Sequence, residues 1–121
     1  MLRCVVLCLS KIKWRSPEEY YDLGLNQQVD VYSLGNNMYA LLTGLWVFYD
    51  TNDHKTVKKR VKAGKKPYID PRYKERSLAD AKLAEIIDKC HSYYAKDRPS
   101  IFEIVIFLRD ALKEARESDK H

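Results

Sequence analysis

The chain has 121 residues and a mass of 14.2 kDa, room for a single domain but not for two lobes with a cleft between them. With 45% apolar and 32% charged residues and only eight Gly plus Pro, it is neither disordered nor fibrous. Net charge is +5, yet the segment Lys55–Lys66 alone carries seven basic residues and no acid, leaving the remainder close to neutral.

In chain order, Cys4-Val5-Val6-Leu7-Cys8-Leu9 is a six-residue apolar run after a single Arg3. It is too short for a secretory core of ~7–15 residues and has no small-residue cleavage site, so it reads as a buried strand or helical turn. No run approaches the ~18 apolar residues of a membrane span. Three cysteines (Cys4, Cys8, Cys90) without C-x-x-C spacing argue against a disulfide framework or a zinc site and make the cytoplasm the expected compartment.

Ser16-Pro17-Glu18-Glu19 is a helix start: a hydroxyl cap, Pro at the first helical position and Glu at the third. From Asp30 to Leu42, Val31, Tyr32, Leu34, Met38, Tyr39, Ala40, Leu41 and Leu42 leave almost no polar face, the mark of a central buried helix. Gly44 offers a left-handed C-cap. A helix from about Thr51 to Ala63, stopped by Gly64, has only Val57 and Val61 to bury and should dock lightly.

That helix carries the basic stripe, with Lys55, Lys58, Lys59, Arg60 and Lys62 as candidate docking residues for an acidic protein partner. The plainer reading is a solvated helix face. No recognition-helix pattern or paired aromatics accompany the charge, so nucleic acid is not the expected partner. Residues 65–76 hold Pro67 and Pro71 and read as a loop. Ser77 and Asp80 cap a helix whose Leu83, Ile86, Ile87, Cys90 and Tyr94 share one stripe. Ser100 and Glu103 cap a last helix bearing Ile101, Ile104, Val105, Leu108 and Leu112, expected to fray into a charged tail at 113–121. The expectation is all-α: four to five helices around one apolar helix.

Three of these segments, taken together, resemble a known family. Lys13-Trp14-Arg15-Ser16-Pro17-Glu18-Glu19, then Asp30-Val31-Tyr32-Ser33-Leu34-Gly35, then Cys90 followed by Asp97-Arg98-Pro99-Ser100, are similar in order and spacing to the C-terminal lobe of a eukaryotic protein kinase. Ser-Pro-Glu stands where that family has the Ala-Pro-Glu that closes its activation segment. Asp30 and Gly35 stand in its Asp-x-Trp-x-x-Gly pattern, with Tyr32 in place of Trp, and Val47-Phe48 stands where Pro-Phe is usual. The resemblance covers residues 14–112, leaving 1–13 unassigned. It implies a structural set of Ser16, Pro17, Glu18, Asp30, Gly35 and Arg98: Glu18 paired with Arg98 across the fold, Asp30 accepting backbone N–H groups of a catalytic loop, Gly35 permitting close packing.

The parts that carry phosphoryl transfer in that family are missing from this sequence. Gly24, Gly35, Gly44 and Gly64 are isolated, so there is no glycine-rich loop. His54, His91 and His121 begin no His-Arg-Asp motif, and no Asp-Phe-Gly occurs. No catalytic, cofactor-binding or metal-ligating residue is therefore expected. ATP and magnesium are implied only for a complete parent kinase.

The sequence thus reads as a partial or degenerate kinase, inactive alone, whose partners are the missing N-terminal lobe, another protein or further copies of itself through exposed apolar surface. A non-catalytic binding module is the alternative. An unrelated helical bundle with chance matches is a third reading, and the Glu18–Arg98 pair is its discriminator: near-neutral, additive losses on removing each partner would favour it.

Overall fold

A computed structural model of the chain describes residues 15–21 and 26–119. The apolar run 4–9, Trp14 and the unassigned segment 1–13 lie outside the described residues.

Among the described residues every regular element is helical. They are α1 (Pro17–Tyr20), α2 (Gln28–Thr43), α3 (His54–Lys62), α4 (Arg72–Arg76), α5 (Leu78–Cys90), a 3-10 turn (Ala95–Asp97) and α6 (Ile101–Asp119). The all-α expectation holds. Helix α5 is the hub of the packing, resting on α2, α4 and α6, while α3 sits at the edge against α1.

The helix starts follow from their caps. At α1 the Glu19 carboxylate accepts from both the backbone N–H and the hydroxyl of Ser16, each at 3.0 Å. At α5 the Ser77 hydroxyl accepts from Asp80 N–H at 3.0 Å. At α6 Ser100 and Glu103 cap each other reciprocally, at 3.1 and 3.4 Å. Helix α3 is capped by Asp53, whose carboxylate accepts from Lys55 N–H and from the Thr56 hydroxyl. Gly44 ends α2 with φ +72°, its N–H donating to Ala40 carbonyl at 2.8 Å. That left-handed turn is one few other residues adopt without strain.

Four details depart from the sequence reading. The stretch 65–76 contains α4, because Pro71 precedes its first turn, where a missing N–H costs nothing, and Asp70 accepts from the Arg72 backbone at 2.9 Å. Helix α5 stops at Cys90, so Tyr94 lies beyond it, exposed, rather than on its apolar stripe. Helix α6 continues unbroken to Asp119, through the segment expected to fray. Its stripe is also only partly covered: Ile104 is buried and Leu108 half-buried, but Ile101, Val105 and Leu112 stay exposed.

The core joins Val31, Met38, Tyr39 and Leu42 of α2 to Ala84, Ile86, Ile87 and Cys90 of α5 and Ile104 of α6. Val57 and Val61 anchor α3, as its sparse apolar pattern implies. Tyr39 is fully buried and its hydroxyl donates to Tyr68 carbonyl at 2.6 Å, which pins the 65–71 segment onto α2. Helix α2 is central but not covered all round, since Leu41 is 81% exposed.

Candidate functional site

Arg98 follows the 3-10 turn and points into the protein, with its side chain 0% exposed and that of Glu18 11%. Its Nη1 donates to Glu18 Oε2 at 2.8 Å and to Gln28 carbonyl at 2.9 Å. Its Nη2 donates to Glu18 Oε1 at 2.8 Å and to Tyr93 carbonyl at 3.1 Å, and Nε to Ser92 carbonyl at 2.8 Å. A guanidinium has five N–H donors, and all five are used. The pair is bidentate, the geometry an Arg supplies and a Lys cannot.

Gln28 closes the clasp from the other side, its carboxamide donating to Ala95 and Arg98 carbonyls at 3.1 and 2.9 Å. The clasp therefore ties α1, the first turn of α2 and the 92–98 segment into one unit. Burial alone would raise the Glu18 carboxyl pKa, but the hydrogen bonds and charge of Arg98 outweigh it and hold the group below its ordinary value. The guanidinium also lies over the Tyr32 ring, 4.9 Å from its centroid, and burial pushes that phenol pKa up.

Beneath the clasp, Tyr32 and His91 rings lie 4.8 Å apart, and His91 Nε2 bonds to Asn36 Oδ1 at 2.8 Å. Because Asn36 offers an oxygen there, Nε2 carries the proton. Burial, with smaller contributions from the charges of Lys66 and Arg98, pushes the His91 pKa down to about 3. Gly35 makes this approach of α2 to α5 possible: a Cβ there would stand 2.9 Å from both Cys90 Cβ and His91 Nε2. Cys90 is a buried free thiol whose pKa burial raises to about 11, so it is no nucleophile at neutral pH.

The structure thus gathers Ser16, Pro17, Glu18, Gly35 and Arg98 around one buried cluster. Asp30 is elsewhere. It is exposed on the first turn of α2, and its carboxylate takes no hydrogen bond from the described residues, so the inward role implied for it is not formed within them. An acid at that place still favours the positive end of the helix.

The basic residues divide. Lys55, Lys58 and Lys59 are exposed on α3, whereas Arg60 pairs with Asp50 at 2.9 Å and the Lys62 ammonium sits 4.4 Å from the centroid of Tyr21. Lys62 carbonyl accepts from the hydroxyls of Tyr21 and Tyr93, joining this helix to the clasp region. Gln28, Asn36 and His91 were not singled out from sequence. Their partners are backbone carbonyls or each other, which leave no spacing signature.

Among the described residues there is no group of three or more His, Cys, Asp or Glu able to hold a metal ion. Gly35, Gly44 and Gly64 of the described residues stand apart from one another and form no glycine-rich loop. No helix of the described residues is long and apolar enough to cross a membrane.

A helical domain locked by a buried Glu–Arg clasp and opened by Ser-Pro-Glu defines the C-terminal part of a kinase-type fold. The protein kinase domain family matches residues 6–107, and the chain belongs to that family. The match begins ahead of residue 14, where the motif resemblance starts. The chain is 32% identical over 96 residues to the dual specificity protein kinase pyk3 of Dictyostelium discoideum. That alignment takes in 79% of the chain but about 7% of the relative's length. The chance-matched bundle is thereby set aside.

Proposed function

We propose that this chain is the helical, partner-facing portion of a protein kinase domain and that, as a 121-residue polypeptide, it transfers no phosphate. The observation that carries the reading is the contrast between a fully satisfied Glu18–Arg98 clasp and a sequence without a glycine-rich loop, His-Arg-Asp or Asp-Phe-Gly. Phosphoryl transfer is positioning plus charge neutralisation, and these residues supply neither for a nucleotide. A complete parent would phosphorylate protein hydroxyls with ATP and magnesium; the dual specificity of the relative extends that to Ser, Thr and Tyr alike. The cytoplasm is the compartment proposed, on the odd cysteine count and the absence of C-x-x-C pairs.

The test is phosphate incorporation from labelled ATP with magnesium into generic protein substrates. The expected result is no signal above a mock purification. Incorporation that tracks the purified chain overturns the reading.

A second reading is favoured by one observation, the exposure of Lys55, Lys58 and Lys59 on one lightly anchored helix. There the chain is a docking module for acidic protein segments. Binding to an acidic peptide should weaken with salt and vanish in a Lys55→Glu, Lys58→Glu, Lys59→Glu variant. Binding indifferent to those changes removes the charge argument.

A further inference from the structure

An apolar groove runs between α2 and α6, with Val31 and Leu34 on one wall and Ile101 and Phe102 on the other. Its volume is about 410 Å³, within the ~300–1,000 Å³ of clefts that hold a bound group. Phe102 is 77% exposed and Ile101 half-exposed, so the described residues leave the α6 wall open to water. An open apolar cleft marks a surface that something covers.

Three observations point to the occupant. The first is apolar character. Cys4-Val5-Val6-Leu7-Cys8-Leu9 is too apolar to leave in water and too short to span a membrane, so it calls for an apolar surface to lie on.

The second is reach. Arg15 stands three residues before Glu18, whose carboxylate is two hydrogen bonds, through Arg98, from the Gln28 carbonyl. Gln28 lines the groove at its clasp end. That route is no longer than ~20 Å, and the six peptide steps from Leu9 to Arg15 extend as far, at ~3.3–3.6 Å each.

The third is charge. Asp30 is the one charged side chain lining the groove, and its carboxylate takes no hydrogen bond from the described residues. The apolar run is bracketed by Arg3 before it and Lys11 and Lys13 after it, and no acid occurs ahead of Glu18. Opposite charge therefore draws the tethered end of the run to the Asp30 end of the cleft.

We propose that the chain's own segment Cys4–Leu9 lies in the α2–α6 groove, with Lys11 beside Asp30. The groove is then covered from within the chain and is not a site for a second copy or another protein. This holds whether or not the chain binds nucleotide.

Disulfide trapping in the whole chain tests this, because the segment carries its own thiols. In a Cys4→Ser, Ile101→Cys variant, mild oxidation should join Cys8 to the introduced thiol within one chain, read as a linked peptide by mass spectrometry. Cys90 stays out of the exchange, being 0% exposed. A tether this short gives Cys8 a ~mM effective concentration at any nearby surface site, so the control is Cys4→Ser, Lys96→Cys, an exposed position beside the clasp. Docking predicts trapping at position 101 at least tenfold faster than at position 96, and a fall to the control rate when Val6→Asp and Leu7→Asp are added. Equal rates at the two positions overturn the proposal, as does fast trapping that survives both aspartates. Links between chains in place of links within one assign the groove to a second copy and overturn it too. Should circular dichroism show that Ile101→Cys has lost helix, Phe102→Cys, on the more exposed rim, takes its place with the same outcomes.

Discussion

Replacing Glu18 by alanine takes away both carboxylate oxygens from a guanidinium whose side chain is 0% exposed. Two of its five donors lose their acceptors and the positive charge loses its counter-ion, while the carbonyls of Ser92, Gln28 and Tyr93 remain. Breaking a buried pair costs ~3–5 kcal/mol. The three surviving acceptors place Glu18→Ala at the lower end, about 3 kcal/mol. Arg98→Ala strands the carboxylate and three carbonyls at once and uncovers the Tyr32 ring, which places it near ~5 kcal/mol. Against a total stability of ~5–15 kcal/mol, the first variant folds marginally and the second barely. Arg98→Lys is not a rescue, because an ammonium has three donors and no fork. The assay is urea denaturation followed by circular dichroism on wild type, both single variants and the double. The clasp predicts that the double variant is little worse than Arg98→Ala, a coupling of at least ~2 kcal/mol. Single losses under ~1 kcal/mol that add without coupling would identify an ordinary surface ion pair and refute the reasoning.

Three further outcomes follow from the same structure. His91 is held neutral in the fold with its pKa pushed down to about 3, against an ordinary value near ~6.5 unfolded, so stability is full above ~6.5 and falls by up to ~1.4 kcal/mol per pH unit as the pH drops toward 3. Because the Glu18 carboxyl is held below the ordinary carboxylate value of 4.5, its contribution is lost only under that pH, so a urea midpoint measured between pH 5 and 7 isolates His91, and His91→Phe should flatten that slope. Gly35→Ala must place a Cβ 2.9 Å from Cys90 Cβ, and overpacking by ~1–3 kcal/mol should outweigh the better helix propensity of Ala; a raised melting temperature would contradict the contact. Gly44→Ala meets nothing within 4 Å yet carries φ +72°, so it should cost ~1–2 kcal/mol through the backbone alone, and a thermal melt equal to wild type would show that the turn relaxes.

How much of this was legible in the sequence differs by residue. The caps at Ser16, Ser77 and Ser100 were readable because a hydroxyl and an acid three positions apart satisfy each other locally. Val57 and Val61 were readable because the other residues of α3 are too polar to bury. Helix α4 was hidden, since Pro67 and Pro71 mark loops by composition while the role of Pro71 depends on its place just before a turn. The Glu18–Arg98 pairing came from motif resemblance, as residues 80 positions apart share no local pattern. The carbonyls that complete the Arg98 shell could not be read at all, because every residue has one. The two faces of α6 look equally apolar in sequence, and only the packing of α5 shows which of them the domain covers.

The central proposal is that this kinase-family helical domain, as this chain, binds no nucleotide. Calorimetric titration of ATP with magnesium into the folded 121-residue chain tests that most directly. The account predicts no saturable heat and no rise in melting temperature at millimolar ATP. Saturable binding at micromolar ATP, with the stabilisation that linkage requires, would contradict it.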